Sequence, residues 1–159
     1  MEKIVPETYN NIMIDEKFEA RHLDKTSDDI EVIDVSKDKL IELATYLKMH
    51  INTQFNMLFS VSGVDRADCF EIVYHLYSTV FNKKLILKVR LDKENPAVES
   101  LCGLYSAADW HERETYDLLG INFINHPNLE RILLPKDWIG HPLRKDYVNN
   151  DERLSWNER

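Results

Sequence analysis

Between Phe55 and Asp92 the chain passes through three strand-like runs in close succession: "FNMLFSVSGVD", "CFEIVYHLYST" and "KKLILKVRLD". Strands that follow one another over short links pair antiparallel, so this stretch dictates a meander before anything else is considered. "DRAD" between the first two reads as a turn, and the third run alternates lysine with Leu85, Leu87 and Val89, the mark of a half-buried strand. Upstream, "IEVIDV" (Ile30–Val35) has the same period of two. Ser36 then reads as the N-cap of "KDKLIELATYLKMH", where Leu40, Leu43, Ala44 and Leu47 form one helical stripe. Downstream, Pro96 suits the first turn of a helix. Residues 97–120 read as that helix, interrupted near Gly103 and ended by Gly120 as a C-cap.

The expected order is therefore β-α-β-β-β-α. A single mixed or antiparallel sheet with helices on one face buries all of these stripes at once, so the expected fold class is a two-layer α+β sandwich. Residues 1–125 form this domain, with residues 1–28 only loosely patterned and "DKTSDD" the loosest part. Residues 126–159 follow as an extended arm. Pro127, Pro135 and Pro142 keep the residues before them out of the helical region, so only a short turn fits at "PNLER". A disordered tail would be poor in apolar residues. This one carries Ile132, Leu133, Leu134, Trp138, Ile139, Leu143 and Tyr147. Burying a side chain of this size is worth roughly 1.5–3 kcal/mol. The arm is expected to lie on a surface, its own domain's or a partner's.

Several functions are disfavoured. A net charge of -8 argues against nucleic acid as the default partner. No apolar run approaches the roughly 20 residues that span a bilayer. "MEKIVPETYN" lacks the basic start and apolar stretch of a signal peptide, so a cytosolic protein is expected, alone or docked on something. Cys69 and Cys102 stand apart and read as reduced, buried small residues; a catalytic role would need a histidine beside one of them. Thr115, not histidine, stands four residues after His111, so "HERET" is not a zinc motif, and His126 and His141 have no helical spacing to it. No glycine-rich phosphate loop and no nucleophile elbow is present.

The segment "ADWHERETYDLLG" puts unusual charge into an otherwise apolar helix. Asp109, Arg113 and Asp117 share one face, Trp110, Glu114 and Leu118 a second, and Glu112, Tyr116 and Leu119 a third. The plain expectation is a solvated face with i,i+4 ion pairs of about 0.2–0.5 kcal/mol each. Acid–base chemistry by Glu112, Glu114 or Asp117 is the alternative; it would require a cleft.

Helix and arm together carry a longer pattern. Glu112, Arg113, Glu114, Asp117, Leu118, Leu119, His126, Pro127, Arg131, Ile132 and Leu133 come first. Asp137, Trp138 and the run Gly140, His141, Pro142, Leu143, Arg144, Lys145, Asp146, Tyr147 follow. Together they resemble the signature of the C subunit of NADH:quinone oxidoreductase, the 30 kDa-subunit family of respiratory complex I. Three positions depart from it: Glu130 for a usual basic residue, Asn125 for a common glycine before His-Pro, and Val148 for a usual proline. The resemblance implies a non-catalytic subunit of the peripheral arm of a proton-translocating complex on the cytoplasmic face of the membrane. It implies no catalytic residue, metal or cofactor in this chain; NADH, FMN, iron–sulfur clusters and quinone would sit in partner subunits. The implied partners are the large quinone-site D subunit, with the B and I subunits nearby. Trp138, His141, Pro142, Leu143, Arg144, Lys145, Asp146 and Tyr147 would dock on the large one. The same family serves deazaflavin- or ferredoxin-dependent dehydrogenases and membrane-bound hydrogenases, sometimes fused to the large subunit. With its last residue at Arg159, this chain is expected to be a separate polypeptide.

Overall fold

The expected meander forms from β3 (Met57–Asp65), β4 (Phe70–Ser78) and β5 (Lys83–Leu91), preceded by β1 (Ala20–Leu23), β2 (Glu31–Val35) and α1 (Leu40–Met49). These bounds come from a computed structural model that describes residues 16–149. The remainder of the loosely patterned start and of the arm's end lie outside the described residues. Strand order in the five-stranded sheet is β1-β2-β5-β4-β3. The β5/β4 and β4/β3 pairs are antiparallel, as is β1/β2, whereas β2 lies parallel to β5. The sheet is thus mixed, and α1 belongs to the crossover between its parallel pair.

Register follows the apolar period. Phe70↔Leu91, Ile72↔Val89, Tyr74↔Leu87 and Leu76↔Leu85 stand opposite one another, and all eight side chains are buried. A slip of one residue would turn this whole set to water, which is why the pairing is specific. The predicted stripe of α1 is the one buried: Leu40, Leu43, Ala44 and Leu47 are fully covered. Ser36 caps as expected, accepting from the Asp38 amide, though a short 3-10 turn (Lys37–Lys39) precedes the α-helix.

The long helix expected over residues 97–120 is corrected. Its first part is β6 (Ala97–Glu99); turns follow, and α2 spans only Ala108–Leu119. After α2 comes β7 (Asn122–Ile124), parallel to β6 with Val98↔Phe123 in register and both buried. Pro96 does not open a helix; its carbonyl accepts from the Asn122 amide at 2.8 Å. Three-residue strands show no period, so tertiary pairing decided the matter where local pattern favoured helix. The same holds for β1, four residues inside the stretch expected to be loose. Gly120 ends α2 in the left-handed conformation, as expected of a C-cap glycine.

Helix α2 crosses β3 closely. A Cβ added at Gly63 would lie 2.5 Å from Leu119 Cδ1 and 2.8 Å from Thr115 Cγ2. Beyond β7 the described chain has turns and bends and no further helix or strand.

Candidate functional site

The signature residues separate into two clusters on opposite sides of α2. The first surrounds Glu112, which is fully buried. Its carboxylate accepts from Ser100 Oγ at 2.5 Å, from the Leu101 amide at 2.8 Å and from Cys102 Sγ at 3.5 Å. Burial pushes this carboxyl above its ordinary range despite those donors. Glu112 therefore pegs the turn between β6 and α2 to the helix, a task that a solvated residue could not perform.

His126, with its side chain fully covered, closes that cluster; its Nε2 lies 4.0 Å from Glu112 and 3.2 Å from the Asp109 carbonyl. Cys102 Sγ, a Glu112 oxygen and His126 Nε2 lie within 4.8 Å of one another, a set with metal-ligand chemistry that no local spacing announced. The hydrogen bonds favour a different use. His126 Nδ1 accepts the Asn128 amide at 3.0 Å, which puts the ring proton on Nε2, where a metal would need the lone pair. Burial raises the Cys102 thiol to about 11, which suits its part here as a donor to Glu112. The arrangement works as a hydrogen-bonded knot that fixes the start of the arm. Asn125 stands before it at a φ of 60°, a left-handed conformation that asparagine tolerates nearly as well as glycine.

The second cluster is the arm's anchorage. Asp117 is fully buried, and its Oδ2 accepts the amides of Ile132, Leu133 and Leu134 at 2.9, 2.7 and 3.0 Å. Arg131 Nη1 meets Oδ1 at 2.7 Å, and Nη2 donates to the Gly140 carbonyl at 2.8 Å. Burial alone would raise the Asp117 carboxyl; the three amides and the Arg131 guanidinium outweigh it and hold the group below the ordinary carboxylate range.

A helix leaves its last carbonyls without internal partners. Here the arm supplies them in sequence. Arg131 Nη1 and His141 Nδ1 donate to the Asp117 carbonyl at 3.0 and 2.9 Å. The Leu143 amide donates to Leu118 O at 3.0 Å. Arg144 donates through Nε to Leu119 O at 2.6 Å and through Nη2 to Gly120 O at 3.3 Å. The last turn of α2 contains no basic residue of its own, so these guanidiniums also complement the negative end of the helix dipole. The Arg144 guanidinium lies 5.1 Å from the Phe70 ring centre, and the Lys145 amide reaches Asp65 Oδ2 at 2.8 Å. Asp65, at the end of β3, also pairs with Lys93 at 2.7 Å. Nothing local marked Asp65, which lies 80 residues from Lys145.

The structure does not bring Glu112, Glu114 and Asp117 together. Glu112 and Asp117 serve different clusters and Glu114 is exposed. Among the described residues Arg113 forms no bridge between two carboxylates; it donates to the Glu130 carbonyl at 3.3 Å and lies 5.0 Å from the Trp110 ring centre. The solvated ion-paired face is thus replaced by two buried carboxylates. Among the docking candidates, Arg144 and the ring of His141 are turned to this chain, and Tyr147 packs where a Cβ on Gly140 would stand, 2.8 Å away. Trp138 and Pro142 are half-buried, Pro127 and the side chains of Lys145 and Asp146 are exposed, and so are Leu133, Ile139, Leu143 and Val148. Among the described residues, no helix is long and apolar enough to cross a membrane.

The chain is similar to known proteins. The model of the respiratory-chain NADH dehydrogenase 30 kDa subunit family matches residues 33–153, which takes in both clusters and the described part of the arm. The C subunit of NADH-quinone oxidoreductase from Roseiflexus sp. (strain RS-1) is 48% identical over 125 residues, 77% of this chain and 72% of that one. The C subunit of F(420)H(2) dehydrogenase from Methanosarcina mazei is 47% identical over 126 residues, 77% and 78% of the two chains. The C/D subunit of NADH-quinone oxidoreductase from Buchnera aphidicola subsp. Baizongia pistaciae is 43% identical over 132 residues, 77% of this chain but 22% of that one. In fold, the chain is similar to a chain of the membrane-bound sulfane sulfur reductase, an archaeal respiratory membrane complex (TM-score 0.72, 21% identity, 87% and 82% covered). It is also similar to the trypsin-resistant fragment of Nqo5 (TM-score 0.64, 23% identity, 75% and 95% covered).

Proposed function

Because this chain belongs to the 30 kDa subunit family of the respiratory-chain NADH dehydrogenase, we propose that it is a non-catalytic structural subunit of a proton-translocating NADH:quinone oxidoreductase. It docks through its arm on the large quinone-site D subunit, with the B and I subunits nearby, on the cytoplasmic face of the membrane. NADH, FMN, iron–sulfur clusters and quinone belong to other subunits of the complex. The observation that carries the reading is the signature itself: its buried carboxylates and arginines are spent on holding an arm in place, which is structural work. The Buchnera relative supports the large subunit as the partner, since its C/D name joins the two in one chain, of which this domain is 22%.

The test is co-expression with the large subunit and affinity purification through a tag on this chain. Stoichiometric recovery of the large subunit is the expected result. Turnover of NADH or a quinone by this chain alone would defeat the reading. The Methanosarcina relative favours a second reading, a component of a deazaflavin-dependent dehydrogenase or a related ferredoxin-linked or hydrogenase complex. The intact purified complex decides between them. Oxidation of NADH supports the first, and oxidation of reduced deazaflavin or ferredoxin with no NADH activity supports the second.

A further inference from the structure

The five-stranded sheet ends in two unlike edges, β1 and β3. β1 is four residues long and carries Arg21 and His22, and a short edge with charge on it discourages further pairing. β3 is nine residues long, and over residues 57–64 (MLFSVSGV) it holds no charge and no proline. Its one guard is a register shift between Leu58 and Ser60, which leaves Phe59 as an extra residue. Beyond that shift, residues 60–64 pair regularly with β4, from Ser60↔His75 to Val64↔Glu71. Among the described residues, no backbone group of this run has a partner on the side away from β4.

The side chains beside this edge are covered on one flank. Phe70, Ile72, Tyr74 and Leu76 of β4 are buried in the core, so His75 and Tyr77 face the other way, and Met57 stands opposite Tyr77. The Phe59 ring meets His75 edge-on at 5.6 Å. No strand lies on the other flank, and Met57 and Phe59 are 47% and 41% exposed. Elsewhere on this face, ion pairs finish the surface: Glu71 with Arg66 and Lys88, and Asp34 with Arg21. Open backbone groups beside uncovered apolar side chains match one kind of partner, another extended strand. Its backbone takes the hydrogen bonds and its alternate side chains cover Met57 and Phe59. A second copy of this chain fits poorly, since it would bring two chains of net charge -8 together.

We propose that the free edge of β3 takes up an extended, uncharged segment of another subunit of the complex as a sixth strand, seated on residues 60–64 with apolar side chains over Met57 and Phe59. This rests on the subunit reading above. The arm meets β3 at Asp65, beyond residues 60–64, so the two contacts are separate.

Hydrogen exchange at single-residue resolution, on the isolated full chain and on the intact purified complex, tests this. In the isolated chain, the amides of residues 60–64 that bond to β4 should exchange slowly and the alternate ones, on the free edge, fast. In the complex the fast set should slow about a hundredfold or more. Ser62 is exposed, and a lysine there would guard the edge without entering the core. Ser62→Lys should leave the urea midpoint of the isolated chain unchanged and cut the slowing at least about tenfold, whereas Ser62→Thr should keep it. Equal exchange of the edge amides in the complex and in the isolated chain, or full slowing with Ser62→Lys, would overturn the inference. So would slow edge amides in the isolated chain, whether it sediments as a monomer closed from within or as a dimer closed by a second copy. Failure of the chain to assemble with any other subunit would defeat the subunit reading and this inference with it; an assembled complex with an open edge would defeat this inference alone.

Discussion

Two carboxylates five residues apart on one helix have opposite electrostatic fates. Asp117 is held below its ordinary range, so it is ionised in the folded state and its stabilisation is present above the unfolded value of 3.8. It is lost as the pH falls through the lower folded value. Asp117→Asn leaves a largely buried guanidinium and converging amides without their anion, and should cost about 3 kcal/mol. Urea denaturation across pH should show that gap constant at neutral pH and narrowing below 3.8. Glu112 is shifted upward by burial, so its contribution is full below the unfolded value of 4.5 and declines as pH rises through the folded value. Glu112→Gln keeps an oxygen for the Leu101 amide and turns its Nε2 as donor to the Ser100 hydroxyl, whereas Glu112→Ala leaves both without a partner. The alanine variant should be less stable than the glutamine variant by about 1–3 kcal/mol at pH 7, read by urea denaturation.

At the scale of elements, α2 is a helix whose C-terminal end is completed by residues 14–25 positions further along. Its own sequence supplies Gly120 for the reversal and nothing basic for the last turn. Gly120 is doubly constrained. It sits at a φ of 71°, and a Cβ there would lie 2.5 Å from the His141 ring and 2.7 Å from Arg144 Nη2. Gly120→Ala should cost about 1–2 kcal/mol from the backbone alone, and should also displace the arm, seen as faster exchange at Arg144 and Lys145. Gly63 is constrained on the other side of α2, by Leu119 and Thr115. Gly63→Ala should destabilise by about 1–3 kcal/mol, measured by thermal or urea unfolding, and leave the arm's anchorage on Asp117 unchanged.

For the molecule as a whole, the arm over residues 126–149 packs on the domain through named contacts. It ties α2 to β3 through Asp65 and to β4 through the Arg144–Phe70 contact. Deleting residues 132–159 should therefore do more than remove a docking element. It strips the partners from the carbonyls of residues 118–120 and the three amides from Asp117 Oδ2 while Arg131 stays on Oδ1, so the last turn of α2 should fray and stability should fall by several kcal/mol, about the cost of leaving those groups without their hydrogen bonds. The five-stranded sheet, with its buried β4/β5 ladder, should persist; circular dichroism should retain the strand signal while losing part of the helical one.

The sequence by itself determined what is periodic and local: the meander from β3 to β5, the buried stripe of α1, the Ser36 cap and the Gly120 stop. It also carried the family, because the signature from Glu112 to Tyr147 is long enough to be read without coordinates. Only the tertiary structure decided the rest. β1, β6 and β7 are too short to show a period and exist because a partner strand lies beside them. The charged face of α2 looked solvated because side-chain spacing reports neighbours on one helix, whereas Glu112 and Asp117 find their partners at residues 100–102 and 131–134. Arg144 reads as a free charge in a string of letters. It becomes an internal one because hydrogen bonds to carbonyls left open at a helix end are satisfied by whatever the fold brings there, and sequence separation places no limit on that.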